Sequence, residues 1–374
     1  MAGQDWLIMN VDRELEVELK RHNIYLHTPY EIFCGYLTLE DIFTVDSVYL
    51  TAKRCAVGFS KKNDTWNYQK NAWLNSVNLC QAVLNGSFKP KYYKSRSINE
   101  RGKTRLIKPP SFECKVVQKV LCDYIIRPLL EPKMIRTSYA SIKGRGTKKM
   151  YEDIEVALNK YRKKPNRYVI IQSDFSNYFG NIDTDLLIQK MLGRYIRDHR
   201  ILNLIQAFSP EECGLSLGNE VSQIPASYFP SLFDHWCKDQ NGWSYFRYMD
   251  DGLAILPVEQ KETYIQGMFQ YSSKLKITLK DEKIKMRNLG EPFIFCKERF
   301  LIDKNTGQYY RLMNPAIARK EKRKLEKFKE KKLEGLMTQE DIDLQYRGVL
   351  GTIASHPNTY HIREKLDSLY KMIE

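Results

Sequence analysis

Phe246-Arg247-Tyr248-Met249-Asp250-Asp251-Gly252-Leu253-Ala254-Ile255 sets an acidic pair and a glycine between two β-prone runs, Trp243 to Tyr248 and Leu253 to Leu256. Strand formers on both sides of a short polar turn make a hairpin with Asp250 and Asp251 at its tip. Successive side chains on extended backbone point to opposite faces, so one aspartate aims fully at a given metal cluster and the other is a weaker ligand or a support. Alone, an acidic pair in a turn is ordinary turn chemistry. A second acidic strand end changes its meaning. Upstream, Tyr168-Val169-Ile170-Ile171-Gln172-Ser173 runs into Asp174-Phe175, followed by Tyr178-Phe179 and by Asn181-Ile182-Asp183, which has the form of a helix N-cap. A buried strand delivering one carboxylate beside a hairpin delivering another is the arrangement a two-metal phosphoryl-transfer site requires.

With 374 residues the chain can bury a full core and divides into two or three lobes, because single cores stop growing at about 250 to 300 residues. Sixty Lys and Arg against 45 Asp and Glu leave a formal charge of +15, which fits a polyanionic partner, nucleic acid ahead of a membrane surface. The 24 tyrosines and 16 phenylalanines supply faces on which bases stack, although many belong to the core. Cys34, Cys55, Cys80, Cys114, Cys122, Cys213, Cys237 and Cys296 show no C-x-x-C spacing, so reduced buried thiols in a cytoplasmic protein are expected rather than a zinc site or a disulfide framework. The scattered histidines read as structural. Met1-Ala2-Gly3-Gln4-Asp5-Trp6 lacks the basic-then-apolar layout of a leader, and no uncharged apolar run reaches 18 residues, which points away from secretion and membranes.

Residues 1 to about 60 read as helical, most clearly at Asp12 to Lys20, without assignable chemistry. One amphipathic helix is expected from Trp66 to Leu84, ended by Asn85-Gly86. A basic hairpin follows, Tyr92 to Ile98 and Lys103 to Lys108 around Asn99-Glu100-Arg101-Gly102. Its arginines suit a triphosphate or a nucleic-acid backbone, and the plain alternative is a charged, solvated edge. A helix is expected from Phe112 to Leu129, then a Gly-interrupted basic loop from Tyr139 to Thr147 that lets backbone approach a nucleic-acid strand. A helix from Thr184 to about Ile196 leads to Gly214-Leu215-Ser216-Leu217-Gly218-Asn219-Glu220, which either lies under a base pair or simply opens the next helix. Beyond the acidic hairpin come a helix from Glu262 to Leu275, a strand and turn from Lys276 to Lys283, and a hairpin from Pro292 to Ile302. Composition changes near Gly307. Arg319 to Lys332 holds nine basic and three acidic residues around Leu325 and Phe328, a helix with one strongly positive face that is either solvated or a nucleic-acid clamp. Helices from Gln339 to Ala354 and Tyr360 to Ile373 complete a small bundle.

In this order the motifs resemble the bacterial reverse transcriptases of the group II intron-related lineage, over roughly residues 65 to 365. The specific parts are Ser173-Asp174-Phe175-Ser176-Asn177-Tyr178-Phe179 with Asn181-Ile182-Asp183, and Arg247-Tyr248-Met249-Asp250-Asp251. The resemblance implies an α+β right-hand polymerase. It divides into an N-terminal helical extension (1–64), fingers (65–165), a palm whose antiparallel sheet carries the acidic hairpin (166–305, with a fingers/palm loop around 197–225) and a helical thumb (306–374). It implies that Asp174 and Asp250 hold two Mg²⁺ ions, for which Mn²⁺ can substitute, with Asp251 in support and the Phe175 carbonyl as a further ligand. Phe179 matches the ring that excludes a ribose 2′-hydroxyl, and Arg105 the fingers arginine on the triphosphate, with Lys103 and Lys115 as helpers. Leu217 and Gly218 align with the loop at the templating pair, and Lys283 with a lysine that protonates pyrophosphate. Contacts to nucleic acid fall to Arg96, Lys143, Arg145, Gln223, Tyr248, Met249, Lys320, Arg323, Lys324 and Lys327. Implied partners are dNTPs, a structured template RNA, its cDNA and an accessory protein oligomer, with no membrane.

Several positions depart from the common pattern. Where most relatives have Pro-Gln-Gly and then Ser-Pro, this chain has Ser216-Leu217-Gly218 and Ser222-Gln223. Leu-Gly-x-x-x-Ser-Gln is similar to the reverse transcriptases of diversity-generating retroelements, which copy a template RNA with errors chiefly at adenines, and antiphage defence reverse transcriptases vary in the same loop. Leu217 in place of an amide removes a polar contact near the nascent pair. The usual Asp-Arg before the fingers helix is Cys114-Lys115, and the glycine of the primer-grip hairpin is Cys296. No endonuclease or zinc extension follows the thumb, which argues against a mobile intron protein. A reading from another class is a catalytically silent RNA-binding scaffold, against which the intact Asp174, Asp250, Asp251 and Arg105 speak.

Overall fold

The computed structural model describes residues 36–58, 63–100, 103–209, 214–279, 282, 284–303 and 305–373; of Lys103 and Arg105 it describes the backbone alone. The helix expected at Asp12 to Lys20, Cys34, Cys213 and Lys283 lie outside the described residues. The fold is α+β, with antiparallel sheets among many helices.

Nine strands are described: β1 (Arg96–Glu100), β2 (Lys103–Ile107), β3 (Tyr168–Asp174), β4 (Ser244–Tyr248), β5 (Asp251–Pro257), β6 (Lys285–Asn288), β7 (Phe293–Phe295), β8 (Glu298–Ile302) and β9 (Tyr309–Met313). They form a β1-β2 ribbon, a four-stranded sheet in the order β4-β5-β3-β6, and a three-stranded sheet in the order β7-β8-β9. The apolar run of β3 is continuous because both faces of its sheet are covered. Ile170 faces Met150, Ile154 and Leu158 of the helix Thr147–Tyr161, together with Phe293 and Phe300. Val169 and Ile171 face the other way, towards Phe233, Tyr264 and Met268. The neighbouring strand alternates in step, Leu253 and Ile255 with the first group, Ala254 and Leu256 with the second.

A helical layer packs beside this sheet. The helix starting at Phe112 runs through Leu121, a π turn at Cys122–Ile126 and Arg127–Leu130, with Val116, Val117, Val120, Leu121 and Ile125 fully buried. Its apolar face joins Val48 and Ala52 of the helix Val45–Ala56 and Ile224 of the helix Glu220–Tyr228 in one core. Thr38 and Thr44 start two N-terminal helices with capping boxes, each hydroxyl accepting from the backbone N–H three residues on. The C-terminal helices Pro315–Leu333, Gln339–Ala354 and Tyr360–Lys371 enclose their own core of Leu325, Phe328, Ile342, Tyr346, Val349, Ile353 and Leu366.

Four elements differ from the sequence expectation. The single helix expected from Trp66 to Leu84 is two, Asn63–Lys70 and Ala72–Leu84, because Asn71 leaves helical geometry at φ −127°, ψ 48°. The break lets the Tyr68 ring meet Phe112 edge-on at 5.0 Å, and leaves Trp66 and Trp73 more than half exposed. The helix expected over 184–196 is a π turn, Asp185–Met191, followed by a 3₁₀ turn, Leu192–Arg194. The strand expected from Lys276 is displaced to β6: Lys276, at φ 56°, closes the preceding helix, and Ile277 is buried in the helical core with its N–H on the Ser272 carbonyl at 2.9 Å. Its alternation with Leu279 imitated a strand. β9, past Gly307, has no counterpart among the expected elements and completes the small sheet beside β8. Among the described residues no helix is long and apolar enough to cross a membrane.

Candidate active site

The hairpin of β4 and β5 closes around Met249 and Asp250, with Tyr248 paired to Asp251. Met249 takes the left-handed conformation at φ 56°. Asp250 therefore lies in the turn, and Asp251 is the first rung of β5. On its other side that rung meets the end of β3, where Asp174 stands directly opposite Asp251. Directly opposed residues of an antiparallel pair share a face with Cβ atoms about 5 Å apart. Counting along the pairing, that face is the one carrying Ile170 and Leu253. The Phe175 N–H donates to the Asp250 carbonyl at 3.4 Å, which brings the turn against the end of β3. All three aspartates are partly exposed.

Glycine is required just behind the turn. A Cβ on Gly252 would lie 2.6 Å from Ser173 Oγ and 3.2 Å from the Tyr245 hydroxyl. On the aspartate face the β7–β8 turn approaches. Cys296 Sγ lies 3.7 Å from Asp251 Oδ2, Gln172 Nε2 donates to the Ile294 carbonyl at 2.7 Å, and the Lys297 N–H donates to the Tyr151 hydroxyl at 3.2 Å. Cys296 has φ 53°, so the chain keeps at this position a backbone that favours glycine.

The basic hairpin is β1 paired to β2, from Arg96 opposite Ile107 to Glu100 opposite Lys103. Its base is tied to the helix starting at Phe112 through Asp64, which accepts from the Tyr93 hydroxyl and, at 3.0 Å, from the Phe112 N–H. Burial works to raise the Asp64 carboxyl, but the bonds from Tyr93, Thr65 and Phe112 outweigh it and hold it below its ordinary range. Gly218 packs on the end of β2: at φ 102°, its added Cβ would meet Ile107 Cγ2 at 3.1 Å. Asn219, fully buried, fixes this loop. Its Nδ2 donates to the Phe208 carbonyl and the Tyr92 hydroxyl, both at 3.1 Å, and its Oδ1 accepts from Gln118 Nε2 at 2.9 Å. Gln118 Oε1 in turn accepts from the Glu220 N–H at 2.7 Å. The Leu215 N–H donates to the Phe179 carbonyl at 2.7 Å, so the loop also leans on the segment after Asp174.

The family model described as reverse transcriptase (RNA-dependent DNA polymerase) matches residues 89–335. The chain belongs to the reverse transcriptase family. No curated protein matches it. Membership makes the protein an RNA-directed DNA polymerase, a nucleotidyltransferase built on a palm-type fold. The matched span contains β3, the acidic hairpin, β1 and β2, and the whole of the helix Pro315–Leu333.

The other expected site residues of this reverse transcriptase are placed as follows. Phe179 is half-buried, its ring edge-on to Tyr178 at 5.9 Å. Lys115 and Leu217 are half-buried, while Gly218, Gln223, Arg96 and Lys143 are exposed. Arg145 turns Nη1 inward, to the Ile135 and Ser138 carbonyls at 2.9 and 3.1 Å, so that part of its guanidinium braces its own loop. Tyr248 packs beside the core that holds Ile170, and Met249 Sδ accepts from the Ser227 hydroxyl at 3.8 Å. Lys320, Arg323 and Lys327 are exposed on their helix, and the Lys324 ammonium lies 5.6 Å from the Phe328 ring centre. Cys114, where an aspartate is usual, is buried with Sγ between the Lys91 N–H and carbonyl, at 3.0 and 3.3 Å. Asp183 does cap: Oδ1 accepts from the Leu186 N–H at 2.8 Å.

Reverse transcriptases generally use divalent metal ions. Among the described residues no group of three or more His, Cys, Asp and Glu side chains forms a ready-made metal cage. The ligating atoms on offer are hard oxygens, the carboxylates of Asp174 and Asp251 on paired positions, that of Asp250 in the adjoining turn and the carbonyl of Phe175 just past β3. That set suits Mg²⁺, which binds through one or two carboxylates and completes its shell with water and substrate phosphates. Two like charges directly opposed on a sheet repel, and a shared cation relieves the repulsion.

Proposed function

We propose that this chain copies a dedicated template RNA into cDNA with Asp174, Asp250 and Asp251 as its catalytic carboxylates. The observation that carries the reading is the direct opposition of Asp174 and Asp251 across β3 and β5, with Asp250 in the adjoining turn. Asp174 and Asp250 are the principal holders of two Mg²⁺ ions, Asp251 supports them and the Phe175 carbonyl adds a ligand. When bound, the ions lower the pKa of the primer 3′-hydroxyl and stabilise the leaving pyrophosphate.

The rest of the assignment follows the hand-like division. The β1–β2 ribbon acts as fingers, Arg105 gripping the triphosphate with Lys103 and Lys115. Phe179 excludes the ribose 2′-hydroxyl, which makes dNTPs the substrates. Leu217 and Gly218 lie at the templating pair, and Lys283 supplies a proton to pyrophosphate. Arg96, Lys143, Arg145, Gln223, Tyr248 and Met249 line the nucleic acid, and Lys320, Arg323, Lys324 and Lys327 clamp its backbone from a helical thumb.

Leu217, Gly218 and Ser222-Gln223 favour a diversity-generating retroelement as the setting. Template–primer extension with the wild type beside Asp250→Ala tests the chemistry, and equal incorporation by the two would overturn the assignment of Asp250. Sequencing the cDNA tests the setting. Random misincorporation opposite template adenines supports the retroelement role, whereas a faithful or repetitive product points to antiphage defence.

A further inference from the structure

Arg247 is a strand residue between the acidic turn and the core, yet it is fully buried, as is the Asp234 carboxylate it faces. Its Nε donates to Asp234 Oδ1 and Oδ2, both at 2.8 Å, and its Nη2 to Oδ2 at 2.7 Å. Nη2 also reaches Ser138 Oγ at 3.2 Å and the Ser227 carbonyl. Nη1 turns towards the acidic tip and donates to the Met249 carbonyl at 2.9 Å. The backbone of Arg247 is pinned as well, its N–H on the Thr137 carbonyl at 2.9 Å and its carbonyl on the Tyr139 N–H at 3.0 Å.

The Met249 carbonyl belongs to the peptide that leads into Asp250, and Met249 is held left-handed without being glycine. Such a conformation is disfavoured for a side chain like Met and persists only where the surroundings over-determine it. A planar guanidinium can bond a carboxylate on one edge and carbonyls on the other, which a single ammonium cannot do in fixed geometry. Asp234 locks the plane. We propose that Arg247, anchored by Asp234, is the positioning residue of the catalytic turn, holding the Met249 carbonyl so that Asp250 meets Asp174 in working geometry. Ser227 extends the link, since it sits near the end of the helix Glu220–Tyr228, whose first residue follows Gly218-Asn219.

The inference rests on the reading of Asp250 as catalytic, and the experiment separates the two. Primer extension is measured for the wild type, Asp250→Ala, Arg247→Lys and the double variant Asp234→Leu with Arg247→Met, each rate normalised to folded protein by circular dichroism. Breaking a buried pair on one side destabilises, whereas replacing both partners with apolar residues is often tolerated, so the double variant restores folding without the bond to Met249. The expected result is kcat per folded molecule down by about 100-fold in both Arg247 variants, the cost of a misplacement of about 1 Å. The KM for dNTP stays close to wild type, and the Mg²⁺ concentration for half-maximal rate rises. Wild-type kcat per folded molecule in either variant, an unchanged Mg²⁺ dependence, or a loss that follows folded fraction alone overturns the proposal. Full activity of Asp250→Ala would instead mark failure of the underlying site assignment.

Discussion

Asp251 is the cross-strand partner of Asp174, so two carboxylates of like charge occupy opposing positions at the end of a buried sheet. Like charges in directly opposed positions of a sheet are destabilising, and a divalent cation held between them would offset that cost. Mg²⁺ is therefore expected to raise the melting temperature of the wild type. A ligand at about 100 times its dissociation constant adds about 2.7 kcal/mol. Asp174→Asn is expected to abolish that rise and to remove primer extension, which differential scanning calorimetry and an extension assay will check together.

Phe179 is expected to set sugar discrimination. Phe179→Ala should raise the relative kcat/KM for rNTP over dNTP by about 10- to 200-fold, the range of a pocket contact worth about 1–3 kcal/mol. Single-nucleotide incorporation with matched rNTP and dNTP measures it, and an unchanged ratio would remove Phe179 from the assignment.

Asn219→Ala is expected to cost about 1–3 kcal/mol of stability, since Gln118 Nε2 loses its acceptor inside the core. The same change releases the Leu217-Gly218 loop from Tyr92 and Phe208, so the error spectrum of the cDNA should shift with it. Urea unfolding and product sequencing read the two effects separately.

Gly267 tests packing away from the chemistry. A Cβ there would fall 2.0 Å from the Trp236 ring, which is also stacked on Phe233 and edge-on to Trp243. Gly267→Ala should destabilise by about 1–3 kcal/mol, as overpacking does. Polymerase activity per folded molecule should stay near wild type.

Asp198 gives the fold one acid-sensitive contact. Bonds from Arg200, helped by the Leu39 N–H, pull its carboxyl down from 3.8 to about 2. A carboxyl with a depressed folded-state pKa contributes its stabilisation in full above the unfolded value, and the contribution disappears as pH falls through the folded one. Between pH 3.8 and about 2 the wild type should lose stability more steeply than Asp198→Asn, as followed by thermal melts across that window.

The parts of this molecule that were legible in the sequence are those set by local pattern. The uninterrupted run Val169 to Ile171 required cover on both faces, the acidic pair between strand formers required a hairpin, and Leu325 with Phe328 marked the single apolar stripe of a basic helix. What stayed hidden depended on distant partners. Asn71 carries no breaking signal of its own, and the contact that accompanies the break joins Tyr68 to Phe112, more than forty positions away. Ile277 and Leu279 alternate like a strand, but among the described residues 277–279 form none. Arg247 was visible only as a letter of the acidic motif. A charged residue directly after Tyr245 and Phe246, in a strand whose middle is buried, was the available sign that a counter-charge had to exist, though not that it was Asp234.

The two-sided burial of the central sheet has a consequence for how errors are excluded. A slip of one residue between β3 and β5 would send the side chains of the shifted strand to the opposite faces, Ile170 towards the core of Val169 and Ile171 and those two towards the core of Ile170. The same slip would carry Asp174 past Asp251. Hydrocarbon fit thus proofreads the acidic end, and a molecule that has found its fold has aligned its carboxylates in the same step.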